Sequence, residues 1–246
     1  MPKKTTRPPR KKDSKRSATS QAREAVEWLK KKGSKATLEG MARYAIPSTN
    51  AFGVSVGKIQ QLAKRLGKSH EVADELWKSG WYEPRMLAAY VDEPGRVTAS
   101  QMDRWCRDFD NWGICDTVCF VLFDRTTHAW AKVGQWSSQR EEFVRRAAFA
   151  LLWGLTVHDK AAGDDQFLHG LALIEQTASD ERHFVKKAVN MALRAVGKRN
   201  AFLNTQAIST ARRLATATDP TSQWIGKDAY RELTSASVAR RISAKK

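Results

Sequence analysis

After residue 20, apolar residues recur every three to four positions along almost the whole chain. Between 140 and 157, Phe143, Ala147, Leu151 and Leu155 fall four apart, flanked by Val144, Ala148 and Leu152. That spacing gathers the side chains on one side of an α-helix, in a stripe wide enough to face a core. Between 183 and 197 the pattern returns as Phe184, Ala188, Ala192 and Val196, bordered by Val185, Val189 and Leu193. Strict alternation, the mark of a strand, is nearly absent. The one continuous apolar run, Val118-Cys119-Phe120-Val121-Leu122-Phe123, has no turn residue inside it and reads as a buried helix.

Polar punctuation divides this pattern into helices. Ser55, Thr98, Asn111 and Asp180 are candidate N-caps, and Gly33, Gly67, Gly95 and Gly197 are candidate stops. Pro84 falls in the first turn of a helix over Tyr82–Val91, where a missing N–H costs little. The predicted helices are 21–32, 36–45, 55–66, 69–79, 82–92, 98–108, 112–124, 128–136, 140–157, 165–177, 181–196, 202–216 and 221–241. Short turns join them. Phe143-Val144-Arg145-Arg146-Ala147 is echoed 41 residues later by Phe184-Val185-Lys186-Lys187-Ala188. That offset is the length of a HEAT or armadillo helical pair. The expected fold is all-α, an α-solenoid of stacked HEAT-like helical pairs with a concave face.

Composition adds a partner to this picture. The 246 residues carry 43 Lys+Arg against 26 Asp+Glu, a formal charge of +17. Residues 1–20 hold eight basic residues and one acid, +7, which leaves +10 for the rest. That segment has too little apolar area to offset its ordering entropy and is expected to be a disordered basic arm. It reads equally as a solubilising tail or as a phosphate-tracking arm. A single helical-repeat domain over 21–241 follows, then a basic tail over 242–246. The charge points to a polyanion, most simply duplex DNA held in a basic concave face. No apolar run approaches the ~20 residues of a membrane span. The basic N-terminus lacks the apolar stretch of a secretory signal, so an intracellular protein without membrane contact is expected.

The common enzyme signatures are absent. The sequence has no phosphate-binding Gly-rich loop, no H-E-x-x-H and no G-x-S-x-G. Cys115 and Cys119 lie one helical turn apart, but no second ligand pair accompanies them and His128 is poorly spaced as a fourth ligand. Cys106, Cys115 and Cys119 are therefore read as buried structural residues, with no metal and no cofactor expected. One constellation stands apart. In Asn111-Trp112-Gly113-Ile114-Cys115-Asp116, Trp112 and Asp116 are i and i+4 and share a helix face. Gly113 permits close approach of another backbone, and Ile114, Val118 and Val121 are assigned to the opposite, apolar face. An aromatic ring and a carboxylate then project together. Two plainer readings stay open: Trp112 packs in the core, and Asp116 caps a helix or pairs with an arginine.

At these residues the sequence resembles the AlkD-type DNA alkylation repair glycosylases, a family of HEAT-like helical solenoids. The resemblance rests on Trp112–Asp116, Arg146-Ala147-Ala148 and the Phe184–Arg199 helix. It extends to Met41-Ala42-Arg43-Tyr44 with Phe52-Gly53-Val54, to Glu75-Leu76-Trp77, to Glu83-x-Arg85 and to Leu193-Arg194-x-x-Gly197-Lys198. It spans roughly residues 21–216. The resemblance implies excision of cationic N3- and N7-alkylated purines from duplex DNA, without extrusion of the base. It implies a cofactor-free monomer in the bacterial cytoplasm, drawn to the nucleoid by DNA. It makes Asp116 the catalytic carboxylate, Trp112 the helix aromatic, Arg146 the arginine facing the DNA backbone and Tyr44 the N-terminal tyrosine near the lesion. Where the family has a second pocket tryptophan this sequence has Met191, which leaves room for a role in binding alone.

The residue chemistry agrees with that implication. An N-alkylated purine is already cationic and leaves without acid catalysis, so the need is a negative charge beside the developing sugar cation. Asp116 supplies the charge and can orient water; Trp112 offers a π-face to a cation. No lysine stands out as a Schiff-base nucleophile, so no lyase activity is expected. Arg146 is placed at the edge of its stripe, wet and free for phosphate, with Lys187 as its echo in a DNA-facing row. Trp28, Trp77, Trp105, Trp130 and Trp153 are expected in the core. Trp81-Tyr82 and Trp136 are expected at exposed helix ends, with Trp136 and the polar turn after it touching phosphate. Two functions compete: a monofunctional glycosylase, and a non-catalytic binder of damaged or unusual DNA. A protein scaffold is disfavoured by the charge.

Overall fold

The computed structural model describes residues 17–244, and all its regular structure is helical. The helices are α1 (Ala18–Lys32), α2 (Lys35–Arg43), α3 (Val56–Leu66), α4 (His70–Lys78), α5 (Tyr82–Val91), α6 (Ala99–Arg107), α7 (Trp112–Val121), α8 (Ala129–Ser137), α9 (Glu142–His158), α10 (Asp164–Thr177), α11 (His183–Val196), α12 (Ala201–Ala215), α13 (Pro220–Leu233) and α14 (Ala236–Ser243).

Local chemistry sets most of these boundaries. Hydroxyl, amide or carboxylate oxygens of Ser17, Ser34, Ser69, Thr98, Asn111, Asn200, Asp219 and Ser235 accept an N–H in the first turn of their helices. Each such cap is worth about 1 kcal/mol. The Ser17 cap starts α1 at Ala18, so residues 18–20 of the expected arm are helical; residues 1–16 lie outside the described residues. The expected tail begins inside α14, and residues 245–246 also lie outside.

Several boundaries differ from the sequence pattern: α2 ends at Arg43 rather than 45, and Ser55 precedes α3 without a side-chain cap bond. The apolar run after Asp116 does not stay helical to 124. α7 ends at Val121, Leu122 turns out at φ −130°, and Phe123–Arg125 form a 3₁₀ turn. The segment 221–241 breaks at Thr234–Ser235, because Ser235 caps a new helix. Asp180 does not cap α11. It accepts the Arg182 N–H at 3.1 Å and pairs with Arg145 and Arg182 side chains. Gly95 sits within a 3₁₀ turn rather than ending a helix. Gly67 does end α3, at φ 76°, a conformation that favours glycine.

The helices stack as an α-solenoid. α5, α7, α9, α11 and α13 pack in succession as one layer, and α8, α10 and α12 form a second layer behind the C-terminal part. α9 lies between α7, α8 and α11, which is why it is apolar on nearly every side. The echoed segments are neighbours: the Phe143 and Phe184 rings are 5.3 Å apart. An aromatic cluster fills the first layers. Trp77 and Trp105 stack at 4.0 Å; Phe109 packs on Trp77, Phe123 on Trp105, and Trp136 on Phe123. Among the described residues no helix is long and apolar enough to cross a membrane.

Candidate functional site

The Asn111 Oδ1 accepts the Ile114 N–H at 2.9 Å and starts α7 at Trp112. From that start, Trp112, Asp116 and Phe120 fall in one row. All three line a cleft of about 520 Å³. Ile46 and Val56 contribute from before and within α3, Tyr82, Met86 and Tyr90 from α5, Trp153 from α9 and Met191 from α11. The stacking of helices along one layer therefore brings residues from 46 to 191 to a single, mostly apolar hollow with one carboxylate in it.

That carboxylate is held by a fork. Arg146 Nε donates to Asp116 Oδ1 at 2.9 Å, and its Nη2 donates to Oδ2 at 2.7 Å. Its Nη1 donates to the Phe184 carbonyl at 2.6 Å, tying α7, α9 and α11 together. Arg146 is 5% exposed. The expectation of a wet arginine reaching for phosphate is thus corrected: the side chain turns inward because a buried carboxylate needs a counter-charge. The geometry is bidentate, the arrangement for which a planar guanidinium is suited. Burial pushes the Asp116 carboxyl above the usual aspartate range, against the opposing pull of Arg146. Burial lowers the Arg146 guanidinium's pKa, but Asp116 outweighs that and raises it.

Trp112 is half-buried, and its indole Nε1 donates to the Tyr44 carbonyl at 2.8 Å. This single bond joins the cleft to the loop after α2. Tyr44 is 70% exposed, and Ala45 beside it has φ 54°. Left-handed backbone at a non-glycine residue costs roughly 1–2 kcal/mol; here the N–H groups of Tyr44, Ala45 and Ile46 donate to the Met41 and Ala42 carbonyls and hold the turn against α2. Glu83 fixes the far end of the loop: its carboxylate, fully buried, accepts the N–H groups of Phe52, Gly53 and Val54 at 2.9, 2.7 and 3.0 Å. Gly53 has φ 79°, and a Cβ there would stand 2.4 Å from the Ser34 carbonyl. The separated motifs Phe52-Gly53-Val54 and Glu83 are thus one staple.

The other candidates fall in different places. Met191 is half-buried; it both packs on the core and lines the cleft. Lys187 is exposed, with its ammonium 4.6 Å from the Trp224 ring centre. Trp136 is not an exposed phosphate contact. It is 2% exposed, because its Nε1 finds Asp103 as an acceptor at 2.9 Å and its ring packs against Phe123. Val121 lines the cleft rather than the face opposite Trp112. Above Gly113 lies the Tyr82 side chain rather than a neighbouring backbone. Cys106, Cys115 and Cys119 are buried; the Cys115 and Cys119 thiols face the Phe143 and Ala147 carbonyls. Among the described residues no group of His, Cys, Asp or Glu is placed to hold a metal.

Tyr82, Tyr90, Phe120 and Trp153 were not singled out from the sequence as cleft residues. Trp153, expected in the core, is half-buried and stacks on Phe120 at 4.3 Å. A signal did exist for Phe120, which continues the Trp112–Asp116 row by one turn. Tyr82, Tyr90 and Trp153 sit on other helices and had none.

A helical solenoid with an aromatic cleft and one clamped carboxylate is the class of protein that these features define. The sequence profile of the DNA alkylation repair enzyme family matches residues 25–233, most of the chain, and the chain belongs to that family. A solved structure matches with a TM-score of 0.71 and 20% identity, over 85% of this chain and 94% of that one. It is described as one of a new family related to the HEAT-like repeat DNA glycosylases, with affinity for branched DNA structures. No curated protein matches the chain.

Proposed function

We propose that this protein is a monofunctional DNA glycosylase that excises cationic N3- and N7-alkylated purines from duplex DNA. The observation that carries this reading is Asp116: a carboxylate fixed by a bidentate arginine, opening onto a cleft walled by Trp112, Tyr82, Tyr90, Phe120 and Trp153. The C1′–N bond breaks with its electron pair leaving on the purine, which becomes neutral. The sugar takes up the positive charge. Asp116 stabilises that charge at short range in a site of low polarity, where a fixed charge counts most. Water then adds to C1′, and its proton passes by way of the carboxylate to solvent. Each Asp116 oxygen accepts one bond from Arg146, which leaves a lone pair on each for sugar or water.

The aromatic walls suit a flat cation, at roughly 0.5–2 kcal/mol for each well-placed ring. Arg146 acts as the clamp of Asp116, and phosphate contact passes to exposed groups such as Lys187 and Tyr44. The +17 charge supports a DNA partner. The reading includes a monomer acting without a cofactor, in the cytoplasm and close to DNA.

A second reading has one observation of its own. Met191 stands where the resemblance expects a pocket tryptophan, and the structural neighbour is described by affinity for branched DNA. On that reading the cleft recognises unusual DNA without chemistry. Release of free 3-methyladenine and 7-methylguanine from methylated duplex separates the two. Release by purified protein supports the enzyme. Tight binding of four-way junctions with no release supports the binder.

A further inference from the structure

The row of α3 that reaches the cleft continues past it. Val56 lines the cleft, and Gln60, Ala63, Lys64 and Gly67 follow at helical spacing on the same side of α3. Those four, with Lys68 and Tyr90, line a second cavity of about 490 Å³. Across from them runs the row Tyr82, Met86 and Tyr90 of α5, which packs against α3. Tyr90 is the residue common to both hollows. Cleft and cavity are thus two stretches of one groove between α3 and α5, with Tyr90 as the wall they share. Lys64 lies eight residues beyond Val56, about 12 Å along the helix.

The second stretch has its own chemistry. The cleft holds a carboxylate, whereas the cavity is lined by two lysines and no acid. The Lys68 ammonium donates to the Tyr90 and Asp92 carbonyls at 2.9 and 2.8 Å, which fixes it at the end of α5 and leaves one N–H over. Lys64 is exposed and makes no hydrogen bond or ion pair among the described residues. Gln60 Nε2 donates to the Tyr90 hydroxyl at 3.1 Å, which leaves the amide oxygen and one N–H for another partner. Between these polar groups the lining is mostly apolar, with Ala63 and the Tyr90 ring as its floor. A Cβ built on Gly67 would meet nothing within 4 Å, so the mouth is open there. The volume falls within the ~300–1,000 Å³ of small-ligand sites. An aromatic floor, a free amide and cations at the rim are complementary to one nucleotide: the ring to the base, the amide to its edge, the lysines to its phosphate. A paired base cannot use such a cavity, because its faces are stacked and a duplex groove shows only edges.

We propose that the cavity between α3 and α5 binds an unpaired nucleotide of the DNA, with its base against Tyr90 and its phosphate between Lys64 and Lys68. This rests on the DNA partner and not on chemistry at Asp116, so it holds whether or not the cleft excises a base. A duplex that carries an unpaired nucleotide then makes one contact more than a perfect duplex.

The test compares the affinity of the full chain for three duplexes of equal length: fully paired, with a single-adenine bulge, and with a bulge of one abasic nucleotide. The adenine bulge is expected to bind roughly five- to tenfold tighter than the paired duplex, the lower part of the range for one stacked base. The abasic bulge keeps the phosphate and the bend but has no base, and is expected to bind like the paired duplex. Lys64→Ala removes an exposed, unpaired side chain and is expected to reduce the preference for the adenine bulge. Ala63→Trp, whose indole fills the cavity, is expected to abolish it. Equal affinity of the wild type for adenine-bulged and paired duplexes overturns the proposal. An abasic bulge bound as tightly as the adenine bulge also overturns it, since the preference is then for bent DNA. A preference that survives both substitutions places the base elsewhere and overturns it too. So does an equal loss on all three duplexes with Lys64→Ala, which makes that lysine a contact of the backbone alone. No binding to any duplex removes the DNA reading and this site with it, whereas release of methylated purines tests the chemistry at Asp116 separately.

Discussion

Asp116 is a largely buried and Glu83 a fully buried carboxylate on neighbouring helices of one layer, yet they are satisfied in opposite ways. Glu83 is sealed, and three backbone N–H groups converge on it from the loop 52–54. Its oxygens hold the loop where it leads into α3. Asp116 meets a single guanidinium instead, and its side chain keeps 16% of its surface exposed to the cleft. A carboxylate fixed by side-chain nitrogens from behind is rigid in front and open to a reactant. The difference between a structural and a chemical carboxylate lies in where the donors come from and in the opening that they leave.

Asp116→Asn is expected to lower single-turnover base release by about 100-fold or more, the usual loss for one fixed electrostatic stabiliser. Affinity for undamaged duplex is expected to change little, since the charge acts on the transition state. Near-normal release would remove Asp116 from the mechanism. Glu83→Gln is expected to act on the other side of the comparison, through stability. Its amide presents a donor where three N–H groups already point, at a cost of about 2–4 kcal/mol. Urea unfolding checks this. A midpoint equal to wild type would show that the staple does not hold the loop.

Acid sharpens the contrast. The lesion's charge is permanent, so the acid limb of the release rate is expected to follow Asp116. Because burial raises its pKa, the limb should inflect above the ordinary 3.8, with the rate falling about tenfold per pH unit below the inflection. A single-turnover profile of the folded protein that stays flat down to pH 4 would contradict this. Smaller still is Met191→Trp. An indole added to the cleft wall is expected to raise 7-methylguanine release roughly two- to fivefold through cation–π stabilisation of ~0.5–1 kcal/mol. A large fall in melting temperature with no rate gain would instead mean that Met191 serves the core. The smallest effect is expected at Ala45→Gly. Relief of the φ 54° backbone, less the entropy that glycine adds to the unfolded chain, should raise stability by up to about 1 kcal/mol. A loss of stability in thermal melts would show that the Ala45 methyl packs usefully.

The row Trp112–Asp116 was legible because both residues lie on one helix, where a period of 3.6 fixes which side chains share a face. The same logic found the helices, the apolar stripes of α9 and α11, and the caps at Thr98 and Asn111. It overran at Leu122 and at Thr234, where one backbone turn or one serine cap decides against an otherwise helical composition.

Arg146 and Trp136 show where the reading stopped. Arg146 looked like a surface charge at the edge of a stripe, and its partner is 30 residues away. Trp136 stood at a helix end, and Asp103 that draws it inward is 33 residues away. Pairing across such distances depends on which helices become neighbours, and that is set by the packing of whole faces. Periodicity and composition suffice for an all-helical, basic solenoid and for the single helix that carries the aromatic and the acid. Packing of distant helices sets the rest: Arg146 clamps Asp116, Glu83 staples the segment 52–54, and Tyr82, Tyr90 and Trp153 wall the cleft. The reason is physical: helical periodicity is a local property of the backbone, whereas a buried charge takes its partner from whichever helix packs against it.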